Sequence, residues 1–256
     1  MYLKMMLTKA RTRFIKSLKL KKIRIQEELF VIEGSKNVIE LLKSNFLLHS
    51  LYATTTFLDN IRVLVKNLNV EIFTATDTQL ADAGSFRTNN SVIAMAKIKE
   101  NKPLSARTDE FALILDDIHD PGNFGTILRI CDWYGISKVI ASTNCVDLYN
   151  PKVIAATMGS FTRVNMYYTN LKEFMEKEEG PFYGTYLDGE NIHTIRFKSR
   201  GYIVVGNEST GISSEISALT DNRITIPGAG RMGSLNAGIA TAVVLDNLYR
   251  TKGGEN

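Results

Sequence analysis

Three predicted strand segments in the last 150 or so residues of the chain each run into a glycine-rich turn, and this pattern constrains the fold more than any other feature. The segments end at residues 115, 205 and 226, and the turns that follow read DDIHDPGNFG, GNESTGIS and PGAGRMGSLN. Open α/β sheets bind ligands outside the carboxyl ends of their strands. The pattern therefore predicts a mostly parallel sheet with a ligand site at the edge where these three strands end.

Further elements of the same domain follow from hydrophobic periodicity. A helix over 125–134 is expected to follow a turn at Pro121–Gly122 and to end at a left-handed Gly135. A last helix over 234–250 is expected to be capped by Ser234. Strands are predicted at 111–115, 138–141, 164–168, 182–186, 202–205 and 223–226. The predicted apolar faces are Ile127, Leu128, Cys131 and Tyr134 on the first helix and Leu235, Ile239, Ala242, Leu245 and Tyr249 on the last.

The first hundred residues alternate in the same way and predict a smaller α/β domain. Strands are expected at 29–32, 48–53, 71–74 and 92–96, and helices at 35–42 (capped by Ser35), 57–68 and 77–83. Residues 97–109 are polar, contain one proline and show no periodicity, which is typical of a linker. We therefore divide the chain into a domain at 1–98, a linker at 99–109 and a domain at 110–256.

Positive charge is concentrated at the N-terminus. The chain carries +4 in total, but nine basic residues precede the first acid, Glu27, which leaves 22 basic and 27 acidic residues. Such asymmetry favours contact with a polyanion such as RNA, although a solvated basic helix or a targeting sequence has the same composition. The nine are Lys4, Lys9 and the seven that we predict as RNA-binding residues, Arg11, Arg13, Lys16, Lys19, Lys21, Lys22 and Arg24.

Composition bounds the class of protein. The longest apolar stretch falls short of the roughly 20 residues of a membrane span, and the first residues lack the pattern of a signal peptide. Two cysteines and three scattered histidines are too few for a disulfide framework or a zinc site. We expect a cytoplasmic protein with no metal and no membrane contact.

Each turn taken alone also has a structural explanation. The first could be a tight β–α turn beside a solvated Arg129, and Glu208 in the second could cap a short helix. The chain contains neither GxGxxG nor GxxxxGK[ST], so a nucleotide-dependent oxidoreductase has little support. Three such turns in one domain, each at the end of a strand, favour a shared ligand site.

The ordered set DPGNFGTILR, VVGNESTGIS and IPGAGRMGSLNAGIA resembles the three signature motifs of the SpoU, or TrmH-type, RNA 2′-O-ribose methyltransferases of the SPOUT superfamily. The resemblance spans residues 111–250 and includes ATMGSFTRV at 156–164. Residues 17–44 are similar to the substrate-binding domain of the same family, which looks like ribosomal-type RNA-binding proteins.

The resemblance implies a fold class and an activity. The expected fold is a C-terminal α/β knot, a deep trefoil in a mostly parallel sheet, beside the smaller N-terminal RNA-binding domain. Sequence patterns would not suggest a knot, because knots are rare. The expected reaction transfers a methyl group from S-adenosylmethionine to a ribose 2′-hydroxyl and leaves S-adenosylhomocysteine. A homodimer through the knotted domain is implied, with Arg129 close to the partner's cofactor.

Site residues follow from the matching positions. The resemblance places Arg129 at the centre of the mechanism, oriented by Asn123, and a guanidinium with a pKa above about 12 is a poor general base. We therefore expect Arg129 to bind the phosphate beside the target ribose and to polarise the 2′-oxygen, while the proton passes to that phosphate or to water. Glu208, Ser234 and Asn236 are expected to shape the pocket, and the expected cofactor contacts are Gly206, Ile226, Leu235, Asn207 and Thr185.

The sequence departs from the family pattern at two places, both of which reduce side-chain volume. Gly228 stands where a larger residue is usual, and the last helix reads NAGIA instead of NVSVA. The main alternative is a non-catalytic RNA-binding or ribosome-assembly factor on the same scaffold. The N-terminal domain favours ribosomal RNA over tRNA as the substrate.

Overall fold

The computed structural model describes residues 5–66, 68–86 and 91–253. The elements in chain order are β1 Met5–Met6, α1 Lys9–Ser17, α2 Lys21–Glu27, β2 Leu29–Glu33, α3 Ser35–Leu42, β3 Leu48–Ala53, α4 Thr55–Asn60, α5 Arg62–Val65, β4 Glu71–Thr74, α6 Asp77–Ala83, β5 Val92–Lys97, β6 Phe111–Leu115, α7 Pro121–Trp133, β7 Lys138–Ser142, α8 Pro151–Thr157, β8 Asn165–Thr169, α9 Leu171–Lys177, β9 Phe182–Asn191, β10 Gly201–Val205, α10 Ser214–Ser217, β11 Asn222–Thr225 and α11 Ala237–Gly253. Within the described residues, no helix has the length and apolar character that a membrane span requires.

The chain forms two compact units. The first comprises residues up to Glu100 together with Asp147–Thr162, and the second comprises Asn101–Val146 and Arg163 onward. The predicted division at 98 and 110 stays a prediction. It did not anticipate that α8 would pack with the first unit, where it lies against β2.

The first unit has a five-stranded mixed sheet in the order β1-β4-β3-β5-β2, and β5 runs antiparallel to both of its neighbours. Two details of its prediction are wrong. Ser35 does not cap α3, because Gly34 with φ 89° precedes the helix and the Ser35 hydroxyl lies 3.0 Å from that of Ser91. The single helix predicted at 57–68 is divided into α4 and α5 at the buried Ile61.

Arg24 corrects the predicted RNA-binding set. Its side chain is only 3% exposed and forms an ion pair with Asp147. The same guanidinium donates to the carbonyl oxygens of Leu18 at 2.9 Å and Lys19 at 2.8 Å. A buried charge requires partners of this kind, because removal from water is costly. Arg24 therefore joins α2 to the segment that carries α8 and cannot serve as an RNA contact.

We expect Arg24→Ala to lower the free energy of unfolding by about 3 kcal/mol, because it leaves the Asp147 carboxylate and two carbonyl groups without this hydrogen-bond donor. Urea denaturation monitored by circular dichroism measures the change. Arg13→Ala, at an exposed position of α1, is the matched control and should stay within about 0.5 kcal/mol of wild type. Equal stabilities of the two variants would contradict the structural role of Arg24.

The second unit is built on a six-stranded sheet in the order β11-β9-β10-β6-β7-β8, and all of its strand pairs are parallel. The predicted parallel α/β fold is confirmed. The central strands β6 and β10 are buried along their whole length, as continuous apolar runs predict. The carboxyl ends of β10 and β11 therefore lie at the same edge of the sheet.

Helix α7 begins earlier than predicted. Asp120 caps it by accepting a hydrogen bond from the Asn123 backbone N–H at 2.7 Å, and Pro121 occupies the first turn. The residues Pro121–Gly122 thus belong to the helix and do not form a turn before it. The predicted left-handed Gly135 is confirmed with φ 75°.

The predicted apolar face of α11 is mostly wrong, because Leu245 alone of its five residues is buried. The buried apolar residues are Ala237, Val244, Leu245 and Leu248, whereas Ile239 is 56% exposed and Tyr249 is 64% exposed. Helix α11 packs against α7, where Trp133 is 83% exposed. The helix carries apolar residues on two faces, and periodicity alone cannot tell which face meets the core.

Candidate active site

A cavity of about 780 Å³ opens where β9, β10 and β11 carry their turns. Its walls come from three segments of the second unit, residues 185–188, 205–212 and 224–240. The first segment reaches the cavity because β9 bulges. Gly184 of β9 pairs with Arg223 of β11, and Glu190 of β9 pairs with the next residue, Ile224. The residues of β9 between Gly184 and Glu190 therefore bulge out of the pairing. The predicted strand at 182–186 did not include this bulge.

The turn after β10 is fixed by a close backbone approach. A Cβ atom on Gly206 would lie 2.2 Å from the backbone of Gly211, so only glycine fits. Asn207 and Gly211 exchange backbone hydrogen bonds of 3.0 and 2.9 Å. The Asn207 side chain donates to the Asp117 carbonyl oxygen at 2.8 Å and accepts from the Ser209 N–H at 2.8 Å. These contacts hold the turn, which presents Glu208 to the cavity.

A hydrogen-bonded cluster joins the three glycine-rich turns. The Asn123 side-chain amide donates to Oε1 of Glu208 at 2.5 Å, and the Asn236 amide donates to Oδ1 of Asn123 at 2.8 Å. Each residue comes from a different turn, yet all three lie in the second unit. We refer to Asn123, Glu208 and Asn236 as the polar cluster.

The start of α11 explains how Asn236 is held. Its Oδ1 accepts from the backbone N–H groups of Gly238 at 3.0 Å and Ile239 at 3.3 Å. Asn236 therefore caps the helix, which begins at Ala237. The prediction that Ser234 caps this helix is wrong, and Ser234 instead lines the cavity.

The predicted site residues fall into three groups. The five predicted cofactor contacts Gly206, Ile226, Leu235, Asn207 and Thr185 all line the cavity, as do Glu208 and Ser234. Asn123 and Asn236 join this set through the polar cluster. Arg129 does not line the cavity: it is exposed on α7 and has no hydrogen-bond or ion-pair partner in the described part of the chain. Asn123, expected to orient Arg129, bonds to the other two members of the cluster instead.

The predicted RNA-binding residues of the first unit fall into two groups, those with a partner in the structure and those without one. Arg11 lies 4.2 Å above the Phe73 ring, Lys16 pairs with Asp82 at 2.8 Å and Lys19 donates to the Gly84 carbonyl at 3.0 Å. Arg13, Lys21 and Lys22 are exposed and have no polar partner among residues 5–66, 68–86 and 91–253. Lys4 lies outside the described residues.

One group at the cavity was not predicted. Arg223 donates to Asp188 at 2.7 Å and lies 3.6 Å above the Tyr186 ring. The hydrogen bond from Arg223 lowers the pKa of the Asp188 carboxyl group below its usual value. Both Tyr186 and Asp188 lie in the bulge of β9, and the sequence carries no signal for a bulge of this size.

Within the described residues, no group of three or more His, Cys, Asp or Glu side chains is arranged to hold a metal ion. The cavity instead offers glycine backbone, the apolar side chains of Ile212, Ile226 and Leu235, and two carboxylates, Asp188 and Glu208. Such a lining suits an organic ligand that carries both apolar and cationic parts.

Fold, cavity and polar cluster together define an RNA methyltransferase of the SpoU/TrmH type. A model of the SpoU rRNA methylase family matches residues 110–246, more than half of the chain, and a model of the MRM3-like substrate-binding domain matches residues 9–94. The chain belongs to the SpoU rRNA methylase family. The predicted family and enzyme class are confirmed.

Named relatives support the assignment. The chain is 27% identical over 238 residues to the 23S rRNA (guanosine(2553)-2′-O)-methyltransferase RlmP of Bacillus subtilis, which covers 91% of this chain and 93% of that protein. It is 28% identical over 153 residues to the tRNA (guanosine(18)-2′-O)-methyltransferase of Thermus thermophilus, with 58% and 79% covered. The crystal structure of an AdoMet-bound rRNA methyltransferase from Sinorhizobium meliloti is 25% identical, with a TM-score of 0.86 and 97% of each chain covered. The donor in that structure agrees with the predicted cofactor.

We expect Gly206→Ala to destabilise the second unit by about 1–3 kcal/mol, because the new Cβ atom would overlap the Gly211 backbone. Urea denaturation measures the loss. Gly230→Ala is the control for stability, since a Cβ atom there meets nothing within 4 Å. A Gly206→Ala protein as stable as Gly230→Ala would contradict the close approach in this turn.

Proposed function

We propose that this chain transfers a methyl group from S-adenosylmethionine to a ribose 2′-hydroxyl of a structured RNA and releases S-adenosylhomocysteine. The observation that carries the proposal is the polar cluster beside the cavity. It brings one side chain from each of the three turns to the place where an alcohol could meet a bound methyl donor. A structural turn would not require such convergence.

The residues present fit the proposed donor. The cavity of about 780 Å³ lies within the usual range for organic ligands, roughly 300–1,000 Å³. The glycine turn at Gly206 offers backbone groups for an adenine ring, while Ile226 and Leu235 supply apolar contacts. S-adenosylmethionine brings its methyl group on a positively charged sulfur, which activates the group without a metal. The chain has to place the ribose in line with that methyl and to accept its proton.

We further propose that Arg129 binds the phosphate beside the target ribose and polarises the 2′-oxygen. Its guanidinium is exposed and, within the described residues, unpaired, so its charge is available to a polyanion. Arg129 lies six positions after Asn123 on α7, which places it about 9 Å further along the helix and on another face. This position, away from the cavity of its own protomer, supports our proposal that Arg129 serves the cavity of a partner subunit.

That geometry supports a homodimer through the second unit. Trp133 on α7 and Ile239 and Tyr249 on α11 are each more than half exposed, and the two helices pack side by side. Exposed large apolar side chains on adjacent helices are typical of an interface. We propose that this face meets its copy, that Arg129 completes the partner's site, and that the glycine-rich residues 226–236 form part of the implied trefoil knot.

The first unit is the proposed RNA-binding part. Its match to a substrate-binding domain and its three unpaired cations, Arg13, Lys21 and Lys22, support this role. The Bacillus relative, whose name specifies 23S rRNA, matches 91% of the chain, whereas the Thermus tRNA enzyme matches 58%. We propose ribosomal RNA as the substrate and the cytoplasm as the site of action.

The experiment uses purified protein, S-adenosylmethionine with a labelled methyl group, and total ribosomal and transfer RNA from a strain that lacks the gene. We expect label in alkali-resistant 2′-O-methyl nucleotides of ribosomal RNA. Label in transfer RNA alone would contradict the proposal that ribosomal RNA is the substrate. No label in any RNA, with donor binding confirmed by calorimetry, would favour a non-catalytic RNA-binding factor. In the same assay Arg129→Ala should reduce turnover at least about 100-fold, and near-normal turnover would disprove its role.

The three unpaired cations of the first unit predict a salt-dependent affinity for RNA. Changing Arg13, Lys21 and Lys22 together to Gln should lower the slope of log K against log salt concentration by about 2, since each phosphate contact releases roughly 0.7 to 0.9 counterions. Filter binding of ribosomal RNA at several salt concentrations measures the slope. Lys177→Gln, at an exposed position of α9 near Glu173, is the control. An unchanged slope in the triple variant would place the RNA elsewhere.

A further inference from the structure

The hydrogen bonds of the polar cluster run in one direction. Backbone N–H groups can only donate, so the two that Asn236 receives from Gly238 and Ile239 identify its acceptor atom as Oδ1. The other atom of that amide, Nδ2, must then donate, and it reaches Oδ1 of Asn123. Asn123 is left with Nδ2 as a donor for Glu208. The start of α11 thus sets both amide orientations without an assumption about hydrogen positions.

Glu208 ends this chain of donors. Its Oε1 receives the hydrogen bond from Asn123, which holds the carboxyl group in place. Its second oxygen, Oε2, has no hydrogen-bond partner among the described residues, and the half-buried side chain lines the cavity. A carboxylate held by one oxygen and open at the other is arranged to receive a proton.

We propose that Oε2 of Glu208 accepts the proton of the target 2′-hydroxyl during methyl transfer. This inference rests on the proposed function, and it replaces water or phosphate, the acceptors that sequence reasoning suggested. The other carboxylate at the cavity is not suited to the role. Asp188 is bound to Arg223 at 2.7 Å, and its side chain is 85% exposed.

The step balances in atoms and electrons. A lone pair of the 2′-oxygen forms the bond to the methyl carbon, and the electron pair of the carbon–sulfur bond remains on the sulfur, which becomes a neutral thioether. The O–H bond breaks, its electron pair stays on the oxygen, and the proton passes to Oε2. The carboxyl group returns the proton to water when the product leaves.

Acid–base strength favours this acceptor over a guanidinium. A guanidinium with a pKa above about 12 would be deprotonated in fewer than about one molecule in 10⁵ at neutral pH. As the oxygen gains its bond to carbon, its proton becomes strongly acidic, so a carboxylate is basic enough. A cation is needed elsewhere, to hold the RNA phosphate.

Glu208→Gln separates the proton acceptor from the hydrogen-bond partner. The Gln amide oxygen can still accept from Asn123, which preserves the cluster, but it cannot take up a proton. We expect kcat to fall at least about 100-fold, as for other general bases, while the Kd for S-adenosylmethionine stays within about threefold. Glu215→Gln, an exposed carboxylate of α10 outside the cavity, is the control and should keep wild-type kcat.

Chemical rescue distinguishes a proton acceptor from a structural residue. Glu208→Ala leaves room for a small carboxylate, and formate should raise the kcat of this variant at least about tenfold. Formate should not change the kcat of the wild-type enzyme or of the Gln variant. A Gln variant with kcat within threefold of wild type, or an Ala variant that formate does not rescue, would overturn the proposal. These outcomes require wild-type protein that methylates RNA, so they differ from failure of the proposed function, in which the wild type itself transfers no methyl group.

Discussion

The candidate site depends on how the first turn of α11 satisfies its backbone N–H groups. A helix leaves its first N–H groups without internal partners, and here Asn236 supplies the acceptor. An Asp at this position would also cap the helix, but it could not donate onward to Asn123. Asn236 accepts from the helix N–H groups with Oδ1 and donates to Asn123 with Nδ2. Asn123 in turn donates to Glu208, so the start of the helix determines the direction of each hydrogen bond up to Glu208. A feature of backbone geometry thus sets the orientation of the group proposed to do chemistry.

The cavity owes its shape to backbone at least as much as to side chains. Gly206 allows one turn to touch itself, and the bulge of β9 pushes residues 185–188 out of a parallel sheet. Since the close approach at Gly206 and the hydrogen bonds of Asn207 fix that turn, this part of the cavity wall is formed before a ligand binds, which lowers the ordering cost of binding.

The sequence predicted the parts of the fold that depend on local patterns. Unbroken apolar runs such as FALIL place buried parallel strands, and Gly135 marks the end of α7 because only a left-handed residue fits there. Prediction failed for residues whose type and spacing fit both a buried and an exposed position. Ile239 and Tyr249 follow helical spacing, yet they lie on an exposed face of α11, and Arg24 has the composition of an RNA contact but is buried against Asp147. Such choices are made by long-range contacts that a single sequence does not display.

For the site itself, family resemblance found the residues but not their connections. It placed Asn123 beside Arg129, whereas the structure joins Asn123 to Glu208 and Asn236. The structure therefore keeps the proposed phosphate-binding cation, Arg129, apart from the proposed proton acceptor, Glu208. An exposed cation suits a phosphate that stays solvated, and a half-buried carboxylate suits a proton that must move during a step from which water is excluded. Arg129 lies about 9 Å along α7 from Asn123, the residue that donates to Glu208, so different elements hold the cation and the carboxylate.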